Sequence, residues 1–268
     1  MKVSIVTVSY NSAQTISDTI ESVRRQTYPH IEYIVVDGGS TDETVEIITK
    51  NEEVIDRWTS EPDEGIYDAM NKGIRMSSGD IVGILNSDDW YEPKAVETAV
   101  RVFEKHEDVD LVHGAMRLWK QEGKVDGCWG KRDGLPPTHI APFNHPTLFV
   151  RRKVYRNIGL FDVSLPTAAD YDFMLRFMKS GYEEKYVDHV LTNFRQGGVT
   201  SQRLGSPLGQ IWRVLRQNGY SPYAVMKGLT FRVFRDVVAW MLNRLGSRKA
   251  KSYIRRYLPY RAEVESTQ

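Results

Sequence analysis

The sequence predicts an α/β protein with a doubly wound, mostly parallel and twisted sheet flanked by helices, and with a helical extension at its C-terminus. Two observations predict this class. Short apolar, β-branched segments alternate with stretches of helical periodicity between residues 3 and 85, and a polar loop follows each of the first four apolar segments. Because ligands bind beyond the carboxyl ends of the strands in such sheets, these polar loops mark the expected site.

The elements can be assigned in chain order. Each strand is predicted from a short apolar run, which is typical of a strand buried on both faces. The predicted strands cover residues 3–8, 31–36, 54–59, 81–85 and 148–150. Asn11 and Ser12 are predicted to cap the first helix, and residues 40–43 form a capping box for the second. Further helices are predicted over residues 64–76, 170–180 and 222–246.

The composition excludes some classes of protein. Cys128 is the only cysteine, so the chain has no internal disulfide, which indicates a reducing compartment. A lone cysteine is usually a packed side chain, and a catalytic thiol is the alternative. The N-terminal apolar run is too short for a signal peptide, and no stretch reaches the ~20 apolar residues of a membrane span. We therefore expect a cytoplasmic protein.

Charge is distributed unevenly along the chain. Residues 1–200 carry 23 Lys and Arg against 32 Asp and Glu, whereas residues 201–268 carry 13 against 3. We expect one domain over residues 1–204 and a basic amphipathic helical extension over residues 205–268. A basic tail indicates an anionic partner, while the acidic body argues against nucleic acid.

The helix predicted over 222–246 carries a broad apolar arc, and a basic cluster follows at 248–256. The arc consists of Met226, Leu229, Val233, Val237, Trp240 and Met241. This composition is typical of a helix that lies in a lipid headgroup layer. Packing on the domain, or on a second subunit in a homo-oligomer, is the alternative. The basic excess favours a protein that is peripheral on the inner face of the cytoplasmic membrane, bound through residues 222–268.

Carboxylates follow several predicted elements. Asp37 closes the second strand and could accept hydrogen bonds from a base or ribose, or form an Asx turn. Asp88 and Asp89 follow the fourth strand, where two adjacent carboxylates repel each other unless a cation offsets their charge, which favours Mg²⁺ or Mn²⁺ over a simple turn. Asp170 and Asp172 begin a helix, where aspartate is a common cap.

The order and spacing of these motifs are more specific than any one of them. The series comprises residues 3–11, VVDGGSTD at 35–42, DEGIYDAMNKG at 63–73 and LNSDD at 85–89. It strongly resembles family 2 inverting glycosyltransferases of the GT-A (Rossmann-like) fold, of the bacterial surface-polysaccharide type, over about residues 1–200. The resemblance implies transfer of a sugar from a nucleotide donor, a UDP-sugar, to a saccharide or lipid-linked saccharide. It also implies inversion at the anomeric carbon and assistance by Mn²⁺ or Mg²⁺.

The resemblance further implies a role for individual residues. Nucleotide and donor contacts fall to Ser9, Tyr10, Asn11, Asp37, Gly65, Lys72, Asn86, Ser87 and Asp88. Asp88 would bind the metal, with Asp89 as a further candidate ligand. Asp170 would be the base that deprotonates the acceptor, and His145 and Asp172 would lie on the acceptor side.

The sequence departs from the family pattern in several places. Asn86 stands where many relatives have aspartate, and Ala169 stands where many have glutamate before the base. These two changes leave open a catalytically inactive scaffold, or a nucleotide-binding protein, with the same fold. The Gln-x-x-Arg-Trp signature of processive synthases is missing, so we expect one sugar per encounter. A mobile loop over the donor is expected at residues 197–201. A dinucleotide oxidoreductase is disfavoured because no Gly-x-Gly-x-x-Gly follows the first strand.

Overall fold

The computed structural model describes residues 1–120, 123–131, 136–197 and 208–244. Its strands are β1 Val3–Ser9, β2 Ile31–Asp37, β3 Arg57–Ser60, β4 Ile81–Asn86, β5 Trp90–Tyr91, β6 Val109–Trp119, β7 Val125–Trp129, β8 Phe149–Arg151 and β9 Glu183–Arg195. Its helices are α1 Ile16–Arg24, α2 Thr44–Thr49, α3 Ile66–Met76, α4 Ala95–Lys105, α5 Arg152–Ile158, α6 Ala169–Lys179, α7 Leu208–Gln217 and α8 Pro222–Arg244, with a 3-10 helix over His145–Thr147. The basic cluster at 248–256 and all but the first residue of the loop at 197–201 lie outside the described residues.

The strands form one sheet in the order β3-β2-β1-β4-β8-β6-β9-β5, and β7 pairs with β6. The β3-β2-β1-β4 half is parallel throughout, which confirms the predicted doubly wound arrangement. In the other half β8 runs antiparallel to both β4 and β6, while β6 pairs in parallel with β9. The protein is therefore a mixed α/β fold, and its parallel half carries most of the predicted site loops.

The sequence pattern predicts neither β6 nor β9. β6 places Asp110, His113 and Arg117 among apolar residues, and β9 reads EEKYVDHVLTNFR, with only residues 191–193 buried. Neither segment has an apolar run or a strict alternation, the two patterns that identify a strand in a sequence. The two strands pair with each other through several register shifts, so tertiary contacts rather than local pattern determine them.

The sheet lies between two apolar cores, because alternate residues of a strand point to opposite faces. Val6 and Val8 of β1 face the core shared with α3, α5, α6 and α7, whereas Val3 and Ile5 face the core shared with α1 and α4. A Cβ atom added at Gly73 would lie 2.2 Å from Val6 Cγ1. The absence of a side chain at Gly73 thus allows α3 to pack directly on β1. This packing holds the first turn of α3 beside the carboxyl ends of the strands.

The predicted capping box of the second helix does not form. A serine that caps a helix accepts a hydrogen bond from a free amide of the first turn. The Ser40 oxygen instead accepts from the Asn11 amide at 2.8 Å, while its hydroxyl donates to Asp37 Oδ1 at 2.5 Å, so Ser40 belongs to the strand-end loop. Asp42 supplies the contact at the start of α2, where its Oδ1 accepts a hydrogen bond from the Thr44 amide at 3.0 Å.

Helices α7 and α8 pack on the core that also holds α6. Val214, Leu215 and Val225 are fully buried there. A Cβ atom added at Gly228 would lie 2.4 Å from the backbone oxygen of Thr138, so α8 lies directly on the segment around that residue. Within the described ranges, no helix combines the length and apolar character needed to cross a membrane.

Candidate active site

The carboxyl ends of the four parallel strands lie in one row. Asp37 is paired with Ser9 on one side and with Ser60 on the other, and Asn86 is paired with Val8. The 3-10 helix that precedes β8 packs against β4, β6 and β9. Because β8 runs antiparallel to β4, that helix lies toward the carboxyl end of β4. The predicted loops therefore meet along one edge of the sheet.

Asp37 lies at the centre of this edge and is fully buried. Its Oδ1 accepts hydrogen bonds from the hydroxyls of Ser9 at 3.0 Å and Ser40 at 2.5 Å. Its Oδ2 accepts from the Ser60 hydroxyl at 2.7 Å and from the amides of Gly39 and Ser40 at 3.1 and 2.8 Å. The carboxylate thus ties the ends of β1, β2 and β3 together, and its contact with a base or ribose stays a prediction. Ser9 is buried with it.

Tyr10 and Asn11 form the rim above that carboxylate. The Tyr10 side chain is 62% exposed. Asn11 has a positive φ of 47° and does not cap α1, which begins at Ile16. Instead its Oδ1 accepts a hydrogen bond from the Thr41 amide at 2.9 Å, and its own amide donates to the Ser40 hydroxyl at 2.8 Å. The two strand-end loops are thereby joined, which leaves Tyr10 as the exposed aromatic ring beside them.

The predicted metal motif follows β4. The Ser87 hydroxyl is buried and lies 2.7 Å from the Ser12 hydroxyl, so it joins the motif to the loop after β1. Asn86 Oδ1 is buried and has no hydrogen-bond partner among the described residues. Asp88 is half-buried, and this burial raises its pKa, although the charge of Arg195 opposes the shift. A carboxylate and an unsatisfied amide oxygen are hard ligands, so Asn86 and Asp88 fit Mg²⁺ or Mn²⁺.

Asp89 differs sharply from its neighbour. It is fully buried, and its Oδ1 accepts a hydrogen bond from the Arg195 amide at 3.0 Å. Burial, reinforced by the charge of Asp88, raises the pKa of Asp89 well above its ordinary value. Its Oδ2 is also buried and has no hydrogen-bond partner among the described residues, and its role as a metal ligand stays a prediction. Through Oδ1, Asp89 anchors the end of β9 beside the predicted metal motif.

Gly65 and Lys72 organise the loop after β3. Gly65 has a φ of +114°, and its amide donates to Asp63 Oδ1 at 2.8 Å just before α3 begins. Lys72 Nζ lies 3.1 Å from Glu61 Oε1 and 3.5 Å from Asp68 Oδ2. Although slight burial opposes the shift, these acidic partners raise the pKa of Lys72. Lys72 is thus a cation held on this loop by two carboxylates.

Asp170 begins α6 and is half-buried. Its Oδ1 accepts a hydrogen bond of 2.8 Å from the hydroxyl of Tyr67, in the first turn of α3. Burial lowers the pKa of His145, and the nearby charge of Asp170 only partly opposes this, so the imidazole is neutral at pH 7. The structure therefore brings Asp170 and His145 near each other and adds Tyr67, which the sequence pattern does not single out.

Asp172 has a different environment. It is buried, and its Oδ2 accepts a hydrogen bond of 2.7 Å from Arg176 Nε, while its Oδ1 accepts one of 2.8 Å from Asn218 Nδ2 in the turn after α7. Arg176 also donates to the backbone oxygens of Gly159 and Leu160. Both carboxylate oxygens are thus engaged within the protein, which indicates a structural role, and the place of Asp172 on the acceptor side stays a prediction.

Comparison with known proteins decides the family. The model for glycosyl transferase family 2 matches residues 4–159. The chain belongs to this family. An uncharacterised glycosyltransferase of Mycobacterium tuberculosis is 34% identical over 208 residues, covering 75% of this chain and 78% of that protein. A PGL/p-HBAD biosynthesis glycosyltransferase of Mycobacterium bovis is 29% identical over 209 residues, covering 75% and 79% of the two chains.

Solved structures share the GT-A fold with this family 2 glycosyltransferase. S. aureus TarS 1–349 in complex with UDP-GlcNAc superposes with a TM-score of 0.65 at 19% identity, covering 85% of this chain and 72% of that chain. In another TarS structure this chain spans only 43% of that chain. A mannosyltransferase from Pyrobaculum calidifontis in complex with GDP-Man and Mn²⁺ gives a TM-score of 0.62 at 18% identity, covering 95% and 79%. At these identities the likeness concerns the fold.

Two further residues of this glycosyltransferase bear on the site. Arg195, at the end of β9, pairs with Asp18 at 2.9 Å, and its guanidinium lies 5.1 Å from the centre of the Trp90 ring. Arg195 reaches the predicted metal motif because it is the last residue of β9, a strand that the sequence pattern does not predict. The sequence pattern therefore carries no signal for Arg195. Cys128, on β7, is half-buried, and this burial raises its pKa, which favours the packed interpretation over a catalytic thiol.

Helix α8 presents an exposed apolar stripe on the side away from the core. The stripe consists of Tyr223, Met226, Val233, Phe234, Val237 and Met241, which are 42–79% exposed. At 3.6 residues per turn they fall within about 100° of the helix circumference. Leu229, which was predicted in the same arc, packs against the core instead. The exposed apolar side chains thus form a stripe in the described part of α8, and the amphipathic character of the whole extension over 205–268 stays a prediction.

Proposed function

We propose that this glycosyltransferase transfers one sugar per encounter from a UDP-sugar to a hydroxyl of a saccharide or lipid-linked saccharide, with inversion at the anomeric carbon. The observation that carries the proposal is the position of Asp170. This carboxylate is held by Tyr67, in the first turn of the helix that follows β3, and its charge acts on His145, in the 3-10 helix that packs against β4. A base and a diphosphate site on one edge are what direct displacement requires.

In the proposed reaction the acceptor oxygen attacks the anomeric carbon while the bond from that carbon to the diphosphate oxygen breaks. The acceptor proton passes to a carboxylate oxygen of Asp170, and the diphosphate leaves with the electron pair. Because the attack comes from the face opposite the leaving group, the configuration inverts. Neutral His145 donates or accepts a hydrogen bond beside Asp170 without neutralising its charge.

The donor would lie along the row of strand ends. Tyr10 offers an exposed ring against which a base can stack, and Asn11 fixes the loop that carries it. Asp88 would hold Mn²⁺ or Mg²⁺ with help from Asn86, and such an ion neutralises charge that develops on the departing diphosphate. Lys72 supplies a second positive charge once its acidic partners exchange it for phosphate oxygens.

A thermal-shift panel tests the donor site. UDP, GDP, CMP and dTDP are each added with and without Mn²⁺ to the wild type, to Asp88→Ala and to the exposed control Glu46→Ala. We expect UDP with Mn²⁺ to stabilise the wild type and Glu46→Ala, and not Asp88→Ala. Stabilisation of Asp88→Ala to the same extent as the wild type would contradict the assignment of Asp88. If no nucleotide stabilised any of these proteins, the donor site as a whole would be refuted.

Turnover separates an enzyme from an inactive scaffold with the same fold. We expect release of UDP from UDP-GlcNAc, or from another UDP-sugar in a panel, to be lost in Asp170→Asn while the UDP-induced thermal shift remains. The anomeric coupling constant of the product, measured by NMR, reports inversion. UDP binding without turnover in the wild type, across donors and saccharide acceptors, would favour the scaffold.

We also propose that α8 binds an anionic lipid surface, so that the enzyme is peripheral on the inner face of the cytoplasmic membrane. The exposed apolar stripe supports this, as does the excess of 13 Lys and Arg over 3 Asp and Glu in residues 201–268. The full chain should sediment with phosphatidylglycerol vesicles but not with pure phosphatidylcholine vesicles. Phe234→Glu should abolish this, whereas Met178→Glu, on an exposed apolar residue of α6, should not. No vesicle binding, together with a dimer in analytical ultracentrifugation, would assign the stripe to a second subunit.

A further inference from the structure

Tyr67 is the described residue most closely tied to the proposed base. It lies in the first turn of α3 and is 9% exposed, so its ring belongs to the core that also holds α6. Its hydroxyl donates to Asp170 Oδ1 at 2.8 Å, across 103 positions of the sequence. A contact between two different helices does not follow from local geometry, which distinguishes it from an ordinary helix cap.

The phenol has a defined direction of donation. Burial and the charge of Asp170 raise the pKa of Tyr67 well above its ordinary value, so the hydroxyl keeps its proton over the working pH range. An ionised carboxylate only accepts hydrogen bonds, so the phenol proton is directed to Asp170 Oδ1.

We infer that Tyr67 is a positioning residue for the transfer reaction, which fixes Asp170 Oδ1 so that Oδ2 is the oxygen presented to the acceptor hydroxyl. This inference rests on the proposed function, in which Asp170 is the base. A hydrogen bond to a carboxylate stabilises the ionised form.

The surroundings of Tyr67 explain why its position is so well defined. Its ring packs 5.6 Å from the ring of Phe161, which in turn lies 5.8 Å from His145. Asn71, one turn further along α3, donates to the Phe161 carbonyl at 2.9 Å and accepts from the Phe161 amide at 3.0 Å. Helix α3 is thereby locked to the segment that leads into α6, so Tyr67 and Asp170 move as one unit.

The test measures the ionisation of Asp170 directly, in the full chain and without an acceptor. The carboxyl carbons of ¹³C-labelled aspartate are titrated by NMR, and the Asp170 signal is assigned from its loss in Asp170→Asn. In Tyr67→Phe we expect the titration midpoint of that signal to rise, because a hydrogen bond to the charged carboxylate is lost. The acidic limb of the pH profile of kcat/KM should move up by the same amount, with the KM for the UDP-sugar unchanged.

Tyr33→Phe is the matched control, because its buried hydroxyl also makes one hydrogen bond, to Thr7 at 3.1 Å. It should leave the Asp170 midpoint where it is. A midpoint that stays within about 0.3 pH unit in Tyr67→Phe, or moves equally in Tyr33→Phe, overturns the inference. In case Tyr67→Phe does not fold, 3-fluorotyrosine at position 67 makes the hydroxyl a stronger donor, and the midpoint must then fall.

The failure of this inference and the failure of the proposed function are distinguishable. If Asp170→Asn keeps the turnover of the wild type, Asp170 is not the base and the proposed function fails. If Asp170→Asn is inactive but Tyr67→Phe leaves both the midpoint and the acidic limb unchanged, only the role of Tyr67 is overturned.

Discussion

Replacing Asp172 with alanine should destabilise the protein without changing how it binds an acceptor. The side chain of Asp172 is 10% exposed, and that of its partner Arg176 is 25% exposed, with the two 2.7 Å apart. Removing one member of a buried ion pair costs about 3–5 kcal/mol, because the other charge remains buried without a partner. Arg176 still donates to backbone oxygens and is partly exposed, so we expect the lower figure, about 3 kcal/mol. For a chain of this size that is a fall in Tm of about 6–12 °C.

Differential scanning calorimetry and urea unfolding measure the effect. The matched control is Glu46→Ala, since Glu46 and Lys50 form a pair with the same four-residue spacing but are 71% and 75% exposed. That variant should lose less than about 0.5 kcal/mol. A fall in Tm of under about 2 °C for Asp172→Ala, joined to a raised KM for the acceptor, would refute the reasoning and return Asp172 to the acceptor side.

Three other predictions concern stability. Against the effect of burial, hydrogen bonds from two serines and a lysine lower the pKa of Glu32 from 4.5 to about 2. As the pH falls, Glu32 is therefore protonated in the unfolded chain before it is protonated in the folded protein. The free energy of unfolding, measured with urea, should be constant above about pH 4.5 with respect to this group and should fall between about pH 4.5 and 2. In Glu32→Gln this fall should be less steep. Gly73→Ala should lower the free energy of unfolding by about 1–3 kcal/mol in the same assay, because its new Cβ meets β1. Gly209→Ala should not lower the free energy of unfolding, because no described atom lies within 4 Å of its new Cβ. Gly228→Ala should push α8 away from the backbone oxygen of Thr138, and the amides of α8 should then exchange hydrogen faster. Unchanged exchange would contradict this packing.

The parallel half of the sheet could be predicted because its information is local. Each of the strands β1, β2 and β4 is a short, mostly apolar and β-branched segment buried on both faces, which is typical of a parallel strand. The order of the motifs then indicated the family, and the comparisons confirmed it. The boundary of β3 was less accurate, because only a short part of the predicted segment 54–59 pairs with β2.

The second half of the sheet could not be predicted, for a physical reason. β9 is stabilised by pairing with β6 and β5 rather than by its own apolar content, so its sequence resembles that of a loop. The same limit applies to the site. Asp170 could be proposed from its motif, but the contact with Tyr67 depends on how two helices pack. Asp37 and Asp172 look like exposed carboxylates in a sequence, and only the structure reveals the donors that enclose them.

The late position of β9 in the chain has a consequence for biosynthesis. The four parallel strands and the predicted metal motif are all synthesised by residue 89, yet β5 has no partner strand until β9 follows. Arg195, whose amide donates to the carboxylate of Asp89, is made 106 residues after that aspartate. At about 5–20 residues per second, roughly 5–20 s separate the synthesis of the two residues. During that interval β5 is an unpaired strand, the kind of edge that is open to pairing with another chain.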